Sequence, residues 1–150
     1  MSRIIFGLLL FLSIFAQATL VPAINPFNVA PDGALLLLLL WTGYCGPREA
    51  LGWTFVAGIT LDILSADPLG TNAVALALGV VVLASLLRER LYGPFPIVMI
   101  AAVVATIAHG VLLSLLRGSL PTATILWQAM AHALIVLIPY VFMRRIARDD

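Results

Sequence analysis

The chain has 150 residues, of which 63% are hydrophobic and 10% are charged, and its formal net charge at pH 7 is +1. Soluble domains carry about 25% charged residues, and a domain of this size buries only about 70% of the surface that its unfolded chain exposes. The composition therefore excludes an ordinary soluble domain and predicts a membrane protein. The near-zero net charge argues against nucleic acid as a partner. The single cysteine, Cys45, excludes an intramolecular disulfide and a cysteine metal site.

Two apolar runs open the chain. The first covers residues 4–24, and its flanking Arg3 and Ala16-Gln17-Ala18 also resemble a secretory signal with its cleavage site. The run is long enough to span a bilayer, which favours a retained helix. A turn-rich link leads to the second run, about 33–45, which is too short to cross alone. We expect this helix to tilt little, to thin the bilayer or to lie partly against protein.

Four further runs follow, at about 50–66, 69–87, 95–116 and 123–143. Asp67-Pro68 suits a helix start, with Asp67 as the N-cap and Pro68 at the first helical position. After the sixth run we expect a short polar tail that carries Arg144, Arg145 and Arg148. Since all links are short, the sequence predicts one integral membrane domain over residues 1–150, an all-α polytopic protein with six transmembrane helices.

The arginines predict the orientation of these six spans. Both termini and the links at 45–49 and 88–94 fall on one side of the membrane, and that side carries every arginine except Arg117. Short cytoplasmic segments are enriched in basic residues, so both termini are predicted to be cytoplasmic.

Asp62 lies in the middle of the third run, deeper in apolar sequence than any other carboxylate. An ionisable group inside a transmembrane segment costs about 2.5–3.5 kcal/mol on insertion scales, so it normally faces protein or a wet cavity. We therefore expect Asp62 to face the bundle, and the third and fourth helices to form the hairpin against which the others pack. Its structural role would be to accept hydrogen bonds from Asn72 or Thr60.

Other polar residues fall at similar depths, near the predicted outer ends of their helices. Together with the break after the third helix they predict an outward-facing polar groove for a solute or a partner helix, formed by Gln17, Asp62, Pro68, Gly70, Asn72, His109, Gln128 and His132. The structural alternative makes His109 and His132 neutral packing residues, bonded to a backbone carbonyl or to each other. It makes Gln17 and Gln128 hydrogen-bond partners between helices.

A metal site built from Asp62, His109 and His132 is a further alternative, since two histidines and a carboxylate can leave open coordination positions. The chain has no metal-binding spacing, nucleophile motif or phosphate loop, so we predict no cofactor, no metal and no catalytic residue. Small residues indicate close helix contacts at Gly58, at Ala75 and Gly79, and at Ala101 and Ala105.

The segments Pro31-Asp32-Gly33-Ala34, Gly46-Pro47-Arg48-Glu49-Ala50, Asp62-Ile63-Leu64-Ser65 and Pro68-Leu69-Gly70-Thr71-Asn72-Ala73 resemble the MreD family of bacterial rod shape-determining membrane proteins. The resemblance implies a fold similar to the S-components of energy-coupling-factor vitamin transporters. It implies a non-enzymatic scaffold subunit in the bacterial inner membrane, in the cell-elongation machinery that inserts lateral peptidoglycan. The implied partners are MreC, MreB filaments, RodA and its penicillin-binding transpeptidase, besides membrane lipid.

One alternative to a scaffold remains from the same resemblance. An S-component-like membrane protein would bind a small solute, such as a vitamin, or a lipid-linked precursor in the outward-facing groove.

Overall fold

The computed structural model describes residues 3–24, 32–86, 95–120 and 123–149. These residues form six helices and no strand, which confirms the all-helical prediction. The helices are α1 (Arg3–Ile24), α2 (Gly33–Cys45), α3 (Pro47–Ser65), α4 (Thr71–Leu86), α5 (Phe95–Leu116) and α6 (Thr124–Asp149). The predicted links at 25–31 and 88–94 lie outside the described residues.

The short helix α2 is the centre of the bundle, and it packs against α1, α3, α4 and α6. Its side chains Leu35, Leu38 and Trp41 are buried, and the Trp41 ring stacks on Phe6 of α1 with the ring centroids 4.0 Å apart. A helix of 13 residues is only about 20 Å long at 1.5 Å per residue. Protein contacts on several sides explain how so short a helix is held, which is one of the three alternatives expected from its length.

The remaining helices pack around α2 in chain order. Contacts join α3 to α4, α4 to α5 and α5 to α6, while α1 packs against α2 and α3. Small residues lie at the crossings. A Cβ at Gly58 would overlap the backbone of Ala73, and one at Gly79 would lie 3.5 Å from the carbonyl oxygen of Ala105. The predicted close contacts through small residues are therefore confirmed at these two crossings.

Helix α4 begins at Thr71, so the prediction of a start at Asp67-Pro68 was wrong. The physical reason lies at Gly70, whose φ of +97° is incompatible with a right-handed helix. Asp67 to Gly70 instead form the connection between α3 and α4. Helix α3 begins at Pro47, with the proline in its first turn. Helix α6 continues to Asp149, so Arg144, Arg145 and Arg148 belong to a helix and not to a polar tail.

Apolar side chains cover much of the outer surface, and polar side chains are buried. The large exposed hydrophobic residues include Leu8, Phe11 and Leu12 of α1, Phe55, Val56 and Ile63 of α3, and Leu126, Met130 and Leu134 of α6. The buried polar residues include Thr54, Asp62, Asn72, Thr106, His109 and His132. In the described ranges one segment, Ile97–Leu116 of α5, is both long and apolar enough to cross a membrane.

Candidate functional site: two polar clusters at one end of the bundle

Asp62 is fully buried at 0% exposure, and its carboxylate accepts three hydrogen bonds. Oδ2 accepts from the backbone N–H of Gly70 at 2.6 Å. Oδ1 accepts from both the backbone N–H and the side-chain amide of Asn72, each at 2.8 Å. The expectation that Asp62 faces protein is confirmed, and so is its bond to Asn72. Thr60 is not a partner, because its hydroxyl donates to the carbonyl of Val56 in its own helix.

The chain reverses between α3 and α4 around this carboxylate. Ala66 ends α3 in a left-handed conformation with φ of 54°, and its N–H donates to the carbonyl of Asp62. Gly70 then takes a positive φ that aims its N–H at the Asp62 side chain. Asp62 thus supplies acceptors to both sides of the turn, and it holds the corner closed.

A polar chain continues from Asp62 toward the surface. The Asn72 amide also donates to Asp67 at 3.1 Å, and Arg117 donates to the same Asp67 oxygen at 2.6 Å. Arg117 directly follows α5, so the ion pair ties the α3–α4 turn to the end of the α5 helix. We call Asp62, Asp67, Gly70, Asn72 and Arg117 the Asp62 network.

A second cluster gathers around Asp32, the N-cap of α2. Its Oδ1 accepts from the N–H of Leu35 at 2.9 Å, as an N-cap side chain does. Its Oδ2 lies 3.2 Å from Nε2 of His109 on α5. Its backbone N–H donates to Nε2 of His132 on α6 at 2.8 Å. One residue therefore joins the start of α2 to α5 and α6.

The hydrogen bonds of His132 define its tautomer. Because Nε2 accepts from Asp32, the proton of a neutral imidazole must lie on Nδ1, which is 2.9 Å from Oγ1 of Thr106. The Thr106 hydroxyl donates onward to the carbonyl of Ala102 at 2.8 Å. When His132 is neutral, each N–H and O–H donor in this series of hydrogen bonds has an acceptor. We call Asp32, Thr106, His109 and His132 the Asp32 clasp.

The clasp also determines the charge state of Asp32. Burial by itself would raise the pKa of this carboxyl, but the hydrogen bond and charge of His109, the N–H of Leu35 and the nearby His132 together lower the pKa below its ordinary value. The ionised carboxylate is therefore the form that the folded protein favours.

The structure separates residues that the metal hypothesis grouped. Asp62 bonds within the α3–α4 hairpin, whereas His109 and His132 meet Asp32. The hypothesis of a metal site formed by Asp62, His109 and His132 was therefore wrong. No set of three or more His, Cys, Asp or Glu in the described ranges has the geometry to hold a metal ion.

The structural alternative for the histidines was also wrong in its partners. Neither imidazole bonds to a backbone carbonyl or to the other imidazole in the described contacts, since Asp32 and Thr106 take those places. The Oε1 atom of Gln17 is buried and has no hydrogen-bond partner among the described residues. Gln128 is half-buried on α6, and Pro68 is exposed in the α3–α4 turn.

Four residues of the two clusters were missing from the predicted set, namely Asp32, Asp67, Thr106 and Arg117. A signal existed for Asp32, because an aspartate directly before an apolar helix is a good N-cap. No local signal marks Thr106 or Arg117, whose partners lie 26 and 50 positions away in the chain.

Comparison with known proteins gives this geometry its context. The family model described as rod shape-determining protein MreD matches residues 1–146. The chain belongs to the MreD family. The rod shape-determining protein MreD of Haemophilus influenzae is 32% identical over 124 residues, which are 79% of this chain and 75% of the relative. No solved structure matches the chain.

Membership in the MreD family confirms the resemblance found in the sequence and places the chain among membrane proteins involved in rod shape determination. The segments that carry this resemblance include Asp32, Asp62, Gly70 and Asn72. The likeness to S-components stays a prediction.

Proposed function

We propose that this MreD-family chain is a non-enzymatic, six-span scaffold subunit of the bacterial cell-elongation machinery, and that it binds MreC. In this proposal MreC brings the chain together with MreB filaments, RodA and the penicillin-binding transpeptidase during lateral peptidoglycan synthesis. One observation carries the scaffold role. The Asp62 carboxylate accepts hydrogen bonds from three N–H donors of its own hairpin. This is a structural role for a buried acid.

The distribution of side chains supports the membrane placement within this proposal. Apolar residues cover much of the outside of α1, α3 and α6, while Asp62, Asn72, His109 and His132 are buried. In lipid this arrangement places apolar side chains against the acyl chains, whereas in water it would expose a large apolar surface. With every arginine except Arg117 near the opposite helix ends, both termini lie in the cytoplasm and the two clusters lie toward the outer side.

The α3–α4 corner is the proposed contact surface for MreC. Leu69 is 75% exposed there, beside Pro68, and the bonds of Asp62 to Gly70 and Asn72 fix the backbone on its C-terminal side. A rigid corner that presents an apolar side chain loses little conformational freedom on binding. The membrane-proximal segment of MreC would pack on this corner.

Co-purification with MreC tests this proposal. Leu69→Glu is expected to weaken recovery of MreC, because it places a charge where the apolar contact forms. Ile4→Glu is the matched control, since Ile4 has the same 75% exposure but lies at the opposite end of the bundle. Both variants should insert and unfold like the wild type, as neither side chain is buried. Equal MreC recovery with Leu69→Glu and Ile4→Glu would remove the corner from the proposal.

A second function, binding of a small solute or lipid-linked precursor, is favoured by one observation. The buried atoms Nδ1 of His109 and Oε1 of Gln17 have no hydrogen-bond partner among the described residues, and unpaired buried polar atoms are uncommon. A panel of vitamins and lipid II, tested for thermal stabilisation of the purified protein, separates this function from the scaffold. A compound that raises the unfolding temperature of the wild type but not of His109→Leu would support it, and a flat response would exclude it.

A further inference from the structure

The Asp32 clasp depends on a protonation state. Nε2 of His132 is an acceptor for the Asp32 N–H, and Nδ1 is the donor to Thr106. An imidazolium carries protons on both nitrogens and accepts nothing. Protonation of His132 would therefore place two N–H groups opposite each other, with their nitrogens 2.8 Å apart.

Among the residues that the structure describes, few titratable groups face His132. Asp32 approaches from the start of α2 and His109 from α5. Helix α4 has no titratable residue, and the arginine of α1, Arg3, pairs with Glu49 at the other end of the bundle. Asp62, Asp67 and Arg117 bond within their own network. The response of the clasp to protons is therefore determined by Asp32, His109 and His132 themselves.

We propose that the Asp32 clasp is an acid-released latch on the central helix. While His132 is neutral, the latch holds the first turn of α2 to α5 and α6. When His132 takes up a proton, the bond from the Asp32 N–H is lost. The imidazolium then attracts the Asp32 carboxylate, which in the closed latch caps Leu35 and contacts His109. The cap of α2 is loosened as a result.

This latch goes beyond the scaffold role and does not require MreC. Its effect is concentrated at α2, because that helix contacts four others and its first turn supplies the fully buried Ala34 and Leu35. Protonation of one imidazole, at the end of the bundle that holds both polar clusters, would thereby change the packing at the centre of the bundle.

Histidine-selective ¹⁵N NMR and amide hydrogen exchange on the full chain in phospholipid nanodiscs test the latch. At about pH 7.5 we expect the Nδ1–H tautomer at His132. As the pH is lowered to about 3.5, the imidazolium signal of His132 and the loss of protection at Leu35 and Leu36 should appear together. After correction for intrinsic exchange, the loss should be about tenfold or more, since these amides bond to Asp32.

Two glutamine variants separate the roles of the histidines. His132→Gln keeps an acceptor near the position of Nε2 but cannot be protonated, so protection at Leu35 and Leu36 should fall much less on acidification than in the wild type. His109→Gln keeps a donor to Asp32 and leaves His132 intact, so the acid release should persist. An Nε2–H tautomer of wild-type His132 at neutral pH would overturn the latch. The same loss of protection in His132→Gln as in the wild type would also overturn it.

Discussion

Asp62 and Asn72 lie ten positions apart, and the single oxygen Oδ1 of Asp62 accepts from both the backbone and the side-chain amide of Asn72 at 2.8 Å. The backbone bond serves the first turn of α4, where helical N–H groups lack partners in their own helix. The side-chain bond orients the Asn72 amide toward Asp67 as well. A buried acid from one helix thus organises the start of the next.

Removal of the Asp62 carboxylate is expected to destabilise the hairpin strongly. Asp62→Leu leaves three N–H donors without this acceptor, two of them buried, and each buried unsatisfied group costs about 1–3 kcal/mol. Asp62→Asn should cost less, because its amide oxygen still accepts while its NH₂ group opposes one donor. Thermal unfolding in detergent measures both, with Thr60→Val as the control, since Thr60 bonds only to its own helix in the described contacts. An Asp62→Leu variant as stable as Thr60→Val would contradict this role.

Gly58 and Gly52 provide a matched pair on the same helix. A Cβ at Gly58 would overlap the backbone of Ala73, whereas a Cβ at Gly52 would have no atom within 4 Å. Gly58→Ala should therefore lower the unfolding free energy by about 1–3 kcal/mol through overpacking. Gly52→Ala should be neutral or stabilising by up to about 1 kcal/mol, as alanine favours helices. Denaturant unfolding that ranks the two variants in the opposite order would show that α3 and α4 do not cross at Gly58.

The two positive φ angles of the α3–α4 turn predict effects of opposite sign. Gly70 has φ of +97°, so Gly70→Ala should lower stability by about 1–2 kcal/mol. Ala66 carries a side chain at φ of 54°, so Ala66→Gly should raise stability by up to about 1 kcal/mol, less the entropy that glycine adds to the unfolded chain. Thermal unfolding of the two single variants checks the signs. A destabilised Ala66→Gly beside an unchanged Gly70→Ala would refute this turn geometry.

Features that depend on composition or on one helix could be predicted from the sequence. The cost of a buried carboxylate indicated that Asp62 faces protein, and the length of α2 made contact with protein one of three expectations for that helix. The start of α4 was missed because the positive φ of Gly70 prevents a helix from running through it, although Asp67-Pro68 locally favours a helix start. Local propensity is a weak guide where tertiary bonds fix the turn.

The Asp32 clasp shows what the sequence could not provide. His132 is 100 positions from Asp32, and no periodicity along one helix reveals which helices meet at which height. The sequence placed His109 and His132 near one end of the bundle but assigned them the wrong carboxylate. Only the packing of α5 and α6 around the start of α2 pairs them with Asp32.

Asp32 is expected to make stability depend on pH. Its pKa in the folded protein lies below the ordinary value of 3.8. Its ionised form therefore contributes stability that is fully present above about 3.8 and is lost as the pH falls through the lower folded-state pKa. Asp32→Asn keeps a capping oxygen and loses the charge.

Urea unfolding of the wild type and of Asp32→Asn, from about pH 6 to about pH 2, gives the unfolding free energy of each protein. The excess of the wild-type free energy over that of Asp32→Asn should shrink at the acid end. A difference in unfolding free energy that is constant over this pH range would show that the Asp32 charge does not stabilise the clasp.

Cell shape tests the proposed role in wall elongation most directly. The measurement is the ratio of cell length to width during depletion of this protein in a rod-shaped bacterium that encodes it. We predict that the cells become round and that wild-type protein supplied from a plasmid restores rods. Gly52→Ala should restore them equally well, whereas Asp62→Leu should not. Cells that keep their rod shape after the protein is gone would contradict the proposed function.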